Sequence, residues 1–178
     1  MLRNMIQKLD RLLPILLLVT GLILSGSWAV QAASIPKMDG ETLDGIARSY
    51  PKDFKGMPTI MLILFDRDQQ AQLDGWVAAM DDLPDGVGLV EIALIGKVGG
   101  IAKFFIKGGM KDAIENDEAR LARMMPYFGD ADKVIKRMKI TDKSDVMAVL
   151  LSPSGKVFWQ SSGDYNGQFT SLDLSVIE

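Results

Sequence analysis

Pro58-Thr59-Ile60-Met61-Leu62-Ile63-Leu64-Phe65 is an apolar run interrupted only by Thr59, set between a proline and the polar stretch Asp66-Arg67-Asp68-Gln69-Gln70. Its length suits a strand better than a core helix, and its lack of polar alternation suits a strand covered on both faces. That makes it a central strand. Asp66 or Asp68 then stands where a helix cap belongs, and Leu73, Trp76, Val77 and Met80 come after it at helical spacing, predicting a helix that reaches about Met80. After the turn Leu83-Pro84-Asp85-Gly86, the stretch Val87 to Ile95 is again apolar and branched, with Glu91 its only charge. A second buried strand is expected there, and strand, helix, strand of this length is a right-handed parallel crossover.

Outward from this unit the signals are weaker. Ser34 to Met57 is turn-rich, punctuated by Pro36, Gly40, Gly45, Pro51 and Gly56, and reads as a lead-in with at most one short strand or helix. Gly96 to Phe128 reads as a long, mostly helical excursion that Gly99-Gly100 and Gly108-Gly109 should break into pieces, and Met124-Met125-Pro126-Tyr127-Phe128 does not read as a strand. Ala131 to Met138 suits a short helix. Val146 to Leu151, the turn Ser152-Pro153-Ser154-Gly155-Lys156 and Val157 to Gln160 make a β-hairpin, and the tail from Asn166 closes the chain as a helix or an irregular cover.

Composition narrows the chemistry. The 178 residues include no cysteine and no histidine, so the side chains most used for nucleophilic, redox and metal chemistry near neutral pH are missing. At the amino end, Arg3, Lys8 and Arg11 precede the uncharged stretch Leu12 to Val30, and Val30 and Ala32 suit the −3 and −1 positions of a secretory cleavage site. Residues 1–32 are therefore expected to be a signal peptide or, since the stretch is 19 residues long, a membrane anchor. Either places the remainder of the chain outside the cytoplasm, periplasmic or otherwise extracytoplasmic, and in the second case tethered to the inner membrane by residues 12–30. A lipoprotein anchor would need a cysteine. The net charge of −3 becomes −5 for residues 33–178, which disfavours nucleic acid as a partner. About 145 residues remain, the size of one domain.

The element order, with Asp39-Gly40-Glu41-Thr42-Leu43, Lys55-Gly56 before the first buried strand and Leu151-Ser152-Pro153-Ser154-Gly155-Lys156-Val157 in the hairpin, resembles the thioredoxin-like superfamily in its peroxiredoxin and thiol-disulfide exchange branch. Phe104-Phe105-Ile106-Lys107-Gly108-Gly109-Met110-Lys111, with Arg120, Tyr127 and Trp159, resembles more closely the mitochondrial ATP-synthase assembly factor family. The resemblance implies an α/β, thioredoxin-like three-layer sandwich: a central mixed sheet with a C-terminal β-hairpin and helices on both faces. It divides the chain into the segment 1–32, a lead-in 33–57 and a thioredoxin-like domain 58–178. Redox members of the superfamily carry cysteines at the start of the first helix, where the helix dipole lowers the thiol pKa, and a cis-proline in the facing loop. Here those places hold Asp68-Gln69-Gln70 and Lys143-Ser144-Asp145. Thiol-disulfide or peroxidase activity is excluded, and no cofactor is expected.

The resemblance thus implies an exported, non-redox binding or assembly module with a protein partner, such as a membrane-complex subunit. Its expected contact residues are Asp66, Arg67, Asp68 and Gln69, with Ser144 and Asp145 opposite them in the groove beside the former redox loop. A second contact surface is expected on Lys103, Lys107 and Lys111, which recur every four residues among Ile101, Phe104, Phe105 and Ile106. Two readings of that segment stand side by side: phenylalanines packed on the sheet with lysines solvated, or a face for anionic headgroups or a membrane protein. Trp159, Tyr165 and Phe169 suit either a partner rim or core cover. Two other functions remain open. Asp66-Arg67-Asp68 after a buried strand also resembles the first motif of magnesium-dependent haloacid-dehalogenase-like phosphohydrolases, with Gly129-Asp130-Ala131-Asp132 as a later acidic motif, although Gln70 stands where that family expects threonine or valine. A periplasmic small-molecule binder is the other, because apolar pockets leave no linear signature.

Overall fold

In the computed structural model, which describes residues 33–54, 56–80, 83, 86–114 and 117–171, the run after Pro58 is the middle strand of a five-stranded sheet. The expected export segment, residues 1–32, and the end of the tail, 172–178, lie outside the described residues. Among the described residues no helix is long and apolar enough to cross a membrane.

The strands are β1 (Met38–Glu41), β2 (Ala47–Tyr50), β3 (Thr59–Leu64), β4 (Gly88–Leu94), β5 (Met124–Tyr127), β6 (Met147–Leu151) and β7 (Val157–Ser162). The helices are α1 (Gln70–Ala78), α2 (Gly100–Ile114), α3 (Glu118–Arg123) and α4 (Ala131–Met138). The main sheet has the order β5-β4-β3-β6-β7. β3 runs parallel to β4 and β4 to β5, while β6 and β7 are antiparallel to their neighbours.

Every residue of β3 is buried because successive side chains enter two different cores. Met61 and Ile63 join Val90, Ile92, Met147 and Val149 on one face, under α4 with Val134 and Met138. Ile60, Leu62 and Leu64 join Ala148 and Leu150 on the other, under Leu73 and Trp76 of α1. Each fully buried side chain of this kind contributes about 1.5–3 kcal/mol relative to exposure. Helices therefore cover both faces of a mixed sheet with a C-terminal hairpin, as expected. Trp159, Tyr165 and Phe169 resolve as cover: Phe169 lies 5.4 Å from Trp76 and 5.0 Å from Trp159, ring centre to ring centre. The Trp76 indole N–H donates to the Gly163 carbonyl at 2.7 Å.

Three expectations need correction. The lead-in holds two strands, β1 and β2, paired as an antiparallel hairpin with Met38 opposite Tyr50, and then a 3-10 turn at Lys52–Phe54. Ile35, Met38, Tyr50 and Phe54 are buried in the first core, so residues 33–57 pack into the same body as the sheet. Gly108-Gly109 does not break α2, which runs through both glycines. Met124-Met125-Pro126-Tyr127 is a strand, with Met124 opposite Glu91 and Tyr127 opposite Leu94. Pro126 is tolerated because β5 ends the sheet and is paired within it to β4 alone.

Candidate functional site

The turn after β3 is shaped by two side chains of its own. Asp66 caps it, its carboxylate accepting the Asp68 N–H at 3.0 Å. Gln69, which is 7% exposed, accepts the Phe65 N–H at 2.7 Å and the Asp66 N–H at 3.2 Å through Oε1, and its Nε2 donates to the Lys143 carbonyl at 2.7 Å. One turn later, Gln72 Nε2 donates to Asp145 at 3.0 Å and Oε1 accepts the Val146 N–H. The two halves of the expected contact groove, Asp66 to Gln69 and Ser144-Asp145, are thus brought together and tied across by amides. Gln69 thus spends its amide oxygen and one amide N–H within the chain, which gives it a structural role in the turn. Asp66, Arg67, Asp68 and Ser144 remain exposed, and Asp145 is half-buried. The Ser144 backbone N–H, together with its hydroxyl, holds the Asp142 carboxyl below the ordinary aspartate value.

On the other flank of the same turn the surface is open. Between the C-terminal ends of β3 and β4 and the inner side of α2 lies a cleft of about 690 Å³. Its floor is Leu64, Ala93, Leu94 and Met124, its roof includes Phe105, Ile106 and Met110, and Asp66, Arg67 and Gln70 stand at the rim. The volume falls within the ordinary range of ligand sites, about 300–1,000 Å³. Nothing in the linear pattern around Gly96 to Phe128 signals this cleft, since it exists only once α2 is laid over strand ends contributed by β3 and β4.

No side chain of the helix over the cleft is fully buried, and Met110 and Ile114 alone among its residues pack in part against the second core. Ile101 is 79%, Phe104 74% and Phe105 70% exposed, which overturns the reading that the phenylalanines pack on the sheet. The lysines are also not a uniform solvated row. Lys107 is ion-paired with Glu41, Lys103 Nζ lies 5.4 Å from the centre of the Phe128 ring, and Lys111 alone is fully exposed. A contiguous exposed apolar patch marks an interaction site more often than a lone exposed residue does.

Below the cleft the domain is held by an ion cluster. Glu91 of β4, which is 0% exposed, accepts Arg120 Nε at 3.0 Å and Arg123 Nε at 2.6 Å, and Arg120 also reaches Asp74 of α1 at 2.8 Å. Burial works against the Arg120 charge, but the attraction of Glu91 and Asp74 outweighs it and raises its pKa. The network ties α3 and α1 to the sheet and leaves α2 outside.

The phosphohydrolase alternative finds no support in this geometry. Asp130 caps α4 by accepting the Lys133 N–H at 2.9 Å, as Asp66 caps its own turn, and among the described residues no three acidic side chains are grouped to hold a metal.

Neither a family model nor a curated protein matches the chain. Solved structures do. A candidate electron transfer protein from Aquifex aeolicus VF5 superposes with a TM-score of 0.60 at 16% identity, over 82% of this chain and 94% of that one. The pneumococcal exposed lipoprotein thioredoxin Etrx1 from Streptococcus pneumoniae strain TIGR4 gives 0.53 at 10% identity, over 75% and 93%. BsSco, a member of the Sco family of cytochrome c oxidase assembly proteins in which a disulfide switch was identified, gives 0.52 at 13% identity, over 76% and 86%. The fold is thioredoxin-like. At such identities the likeness extends to the fold alone, and it does not reach the finer resemblance to the ATP-synthase assembly factor. On this fold, the chain has no cysteine with which to perform thiol exchange.

Proposed function

We propose that the chain is a non-redox thioredoxin-fold binding module, exported or held at the outer side of a membrane, that captures an apolar segment of a protein partner between α2 and the ends of β3 and β4. The observation that carries this reading is the cleft of about 690 Å³, continued outward by exposed Phe104, Phe105 and Ile101. Its rim supports a peptide as occupant. Asp66, Arg67 and Gln70 offer an acid, a base and an amide side by side, which suits the alternating donors and acceptors of a polypeptide better than a single charged headgroup.

The amino end of the described residues leaves the cleft clear. Ala33 accepts the Val157 N–H at 2.8 Å, beside the β6–β7 turn. Val157 pairs with Leu151 and Leu151 with Thr59, the first residue of β3, so Ala33 lies at the opposite end of the sheet from the cleft.

The test is a photo-crosslinking residue at Phe105 in the full chain, irradiated in the native membrane fraction. A discrete protein adduct, weakened about ten-fold by Met110→Ser and unchanged by Asp68→Asn with Ser144→Ala, is the expected result. Adducts to lipid or to a small molecule alone, or loss of the protein adduct only in the Asp68 and Ser144 variant, would overturn it.

A further inference from the structure

At the opposite end of the sheet from the cleft, a pocket of about 210 Å³ opens beneath the β1–β2 hairpin, with Arg48, Tyr50, Asp53, Leu89 and Arg123 in its wall. Its size is below the range of drug-sized sites, about 300–1,000 Å³, so it suits a small ligand. Three donors face this space. Arg48 has no ion pair within the described residues. Arg123 gives only Nε to Glu91, leaving the two outer nitrogens of its fork unengaged among the described residues. The Tyr50 side chain is 3% exposed, its ring stacked on Phe54 at 5.3 Å, and its hydroxyl has no hydrogen-bond partner among the described residues.

That hydroxyl is the telling group. No fully enclosed side-chain oxygen or nitrogen among the described residues lacks a partner, so the Tyr50 oxygen must meet the open space of the pocket. Burial, first, raises its pKa, with Arg48 lowering it and Asp53 raising it, which sets the phenol close to both charges and keeps it a donor at neutral pH. Asp53 is the one acid in the wall, and its carboxylate accepts the Ser49 N–H at 2.6 Å. Glu91 is enclosed behind Arg120 and Arg123 and presents nothing to the pocket. The wall thus carries two guanidinium groups against one carboxylate, with the Arg123 charge shared with Glu91 behind it.

We propose that this pocket is a binding site for a small oxyanion, a carboxylate or a phosphate, held by Arg48, Arg123 and the Tyr50 hydroxyl. Two planar guanidinium forks and one phenol match the oxygen geometry of such groups, which a lone lysine cannot do. Leu89, Val90, Phe54 and Met57 complete the wall with apolar surface, leaving room for a short hydrocarbon portion beside the charged end. The site is separate from the α2 cleft and does not depend on the occupant of that cleft.

The test is an NMR titration of the full chain in an uncharged detergent, following the arginine Nε–H signals while inorganic phosphate or acetate is added at constant ionic strength. Saturable shifts of Arg48 and Arg123 are expected, with phosphate or acetate, whichever binds more tightly, naming the preferred group. Arg48→Gln should weaken binding about ten-fold, the loss of one charge-assisted contact. Tyr50→Phe, which keeps the ring in the core, should weaken it about three-fold. Shifts that are linear and equal to those from chloride, or a titration that neither variant alters, would overturn the site. Phe105→Ser should leave the titration unchanged, so a failure of the cleft reading is distinguishable from a failure here.

Discussion

On one flank of the Asp66–Gln70 turn, two glutamine amides tie the start of α1 to the loop before β6; on the other, α2 covers a cleft of about 690 Å³ without fully burying a side chain of its own. The first flank is polar in composition and closed. The second is apolar and open. Polarity read along the sequence singles out the first flank, where donors and acceptors are already matched within the chain, and passes over the second. Gln69 and Gln72 are engaged within the chain, whereas the exposed rings of Phe104 and Phe105 meet edge to face at 5.7 Å.

The contrast can be broken from its rigid side first. Glu91→Ala should cost about 3 kcal/mol, because it leaves two arginines facing each other without the carboxylate that joins them. Chemical denaturation measures it, and a loss below that of an ordinary surface substitution would remove the cluster from the rigid side. Gln69→Leu should cost about 2 kcal/mol, since the Phe65 N–H and the Lys143 carbonyl lose a partner beneath an apolar side chain. Amide exchange of Phe65 and Val146 should accelerate together if the two loops are held as one unit.

From the loose side the effects are smaller. Lys107→Gln removes the ion pair between α2 and Glu41 and should change global stability by no more than about 0.5 kcal/mol. Its signature is faster exchange confined to α2, and a matching acceleration across β3 and β4 would show that the helix is no separate element. The smallest effect concerns pH. The Asp142 carboxyl is held below its ordinary value of 3.8, so its contribution is present above that value and is lost as pH falls through the lowered folded value. A carboxyl titration should show this protonation loosening residues 142–145 while α2 is unaffected.

Much of the fold is legible in the sequence, for reasons visible in the packing. β3, α1, β4, α4 and the β6–β7 hairpin are buried on predictable faces, so hydrophobic period and turn residues report them directly. β1, Met38-Asp39-Gly40-Glu41, and β2, Ala47-Arg48-Ser49-Tyr50, are four residues each and too short to carry a period to read. β5 is hidden by its brevity, its methionines and Pro126. Gly108 and Gly109 suggest a break that does not occur: both sit where an added Cβ would meet open space, so they interrupt no packing of the helix. The candidate sites are less legible. Gln69 acquires its meaning from a carbonyl 74 positions away, and the Glu91 cluster and the Arg48 pocket are each assembled from separate elements. Local spacing holds no record of such meetings.

The amide of Gln69 has a consequence for engineering. A cysteine pair engineered at positions 66 and 69 would remove the cap at one end of the turn and the tie to Lys143 at the other. Redox chemistry and loop closure compete for the same side chain, so each single step toward a thiol site first passes through a less stable protein. Introducing a thiol pair here would therefore require rebuilding the facing loop in the same move.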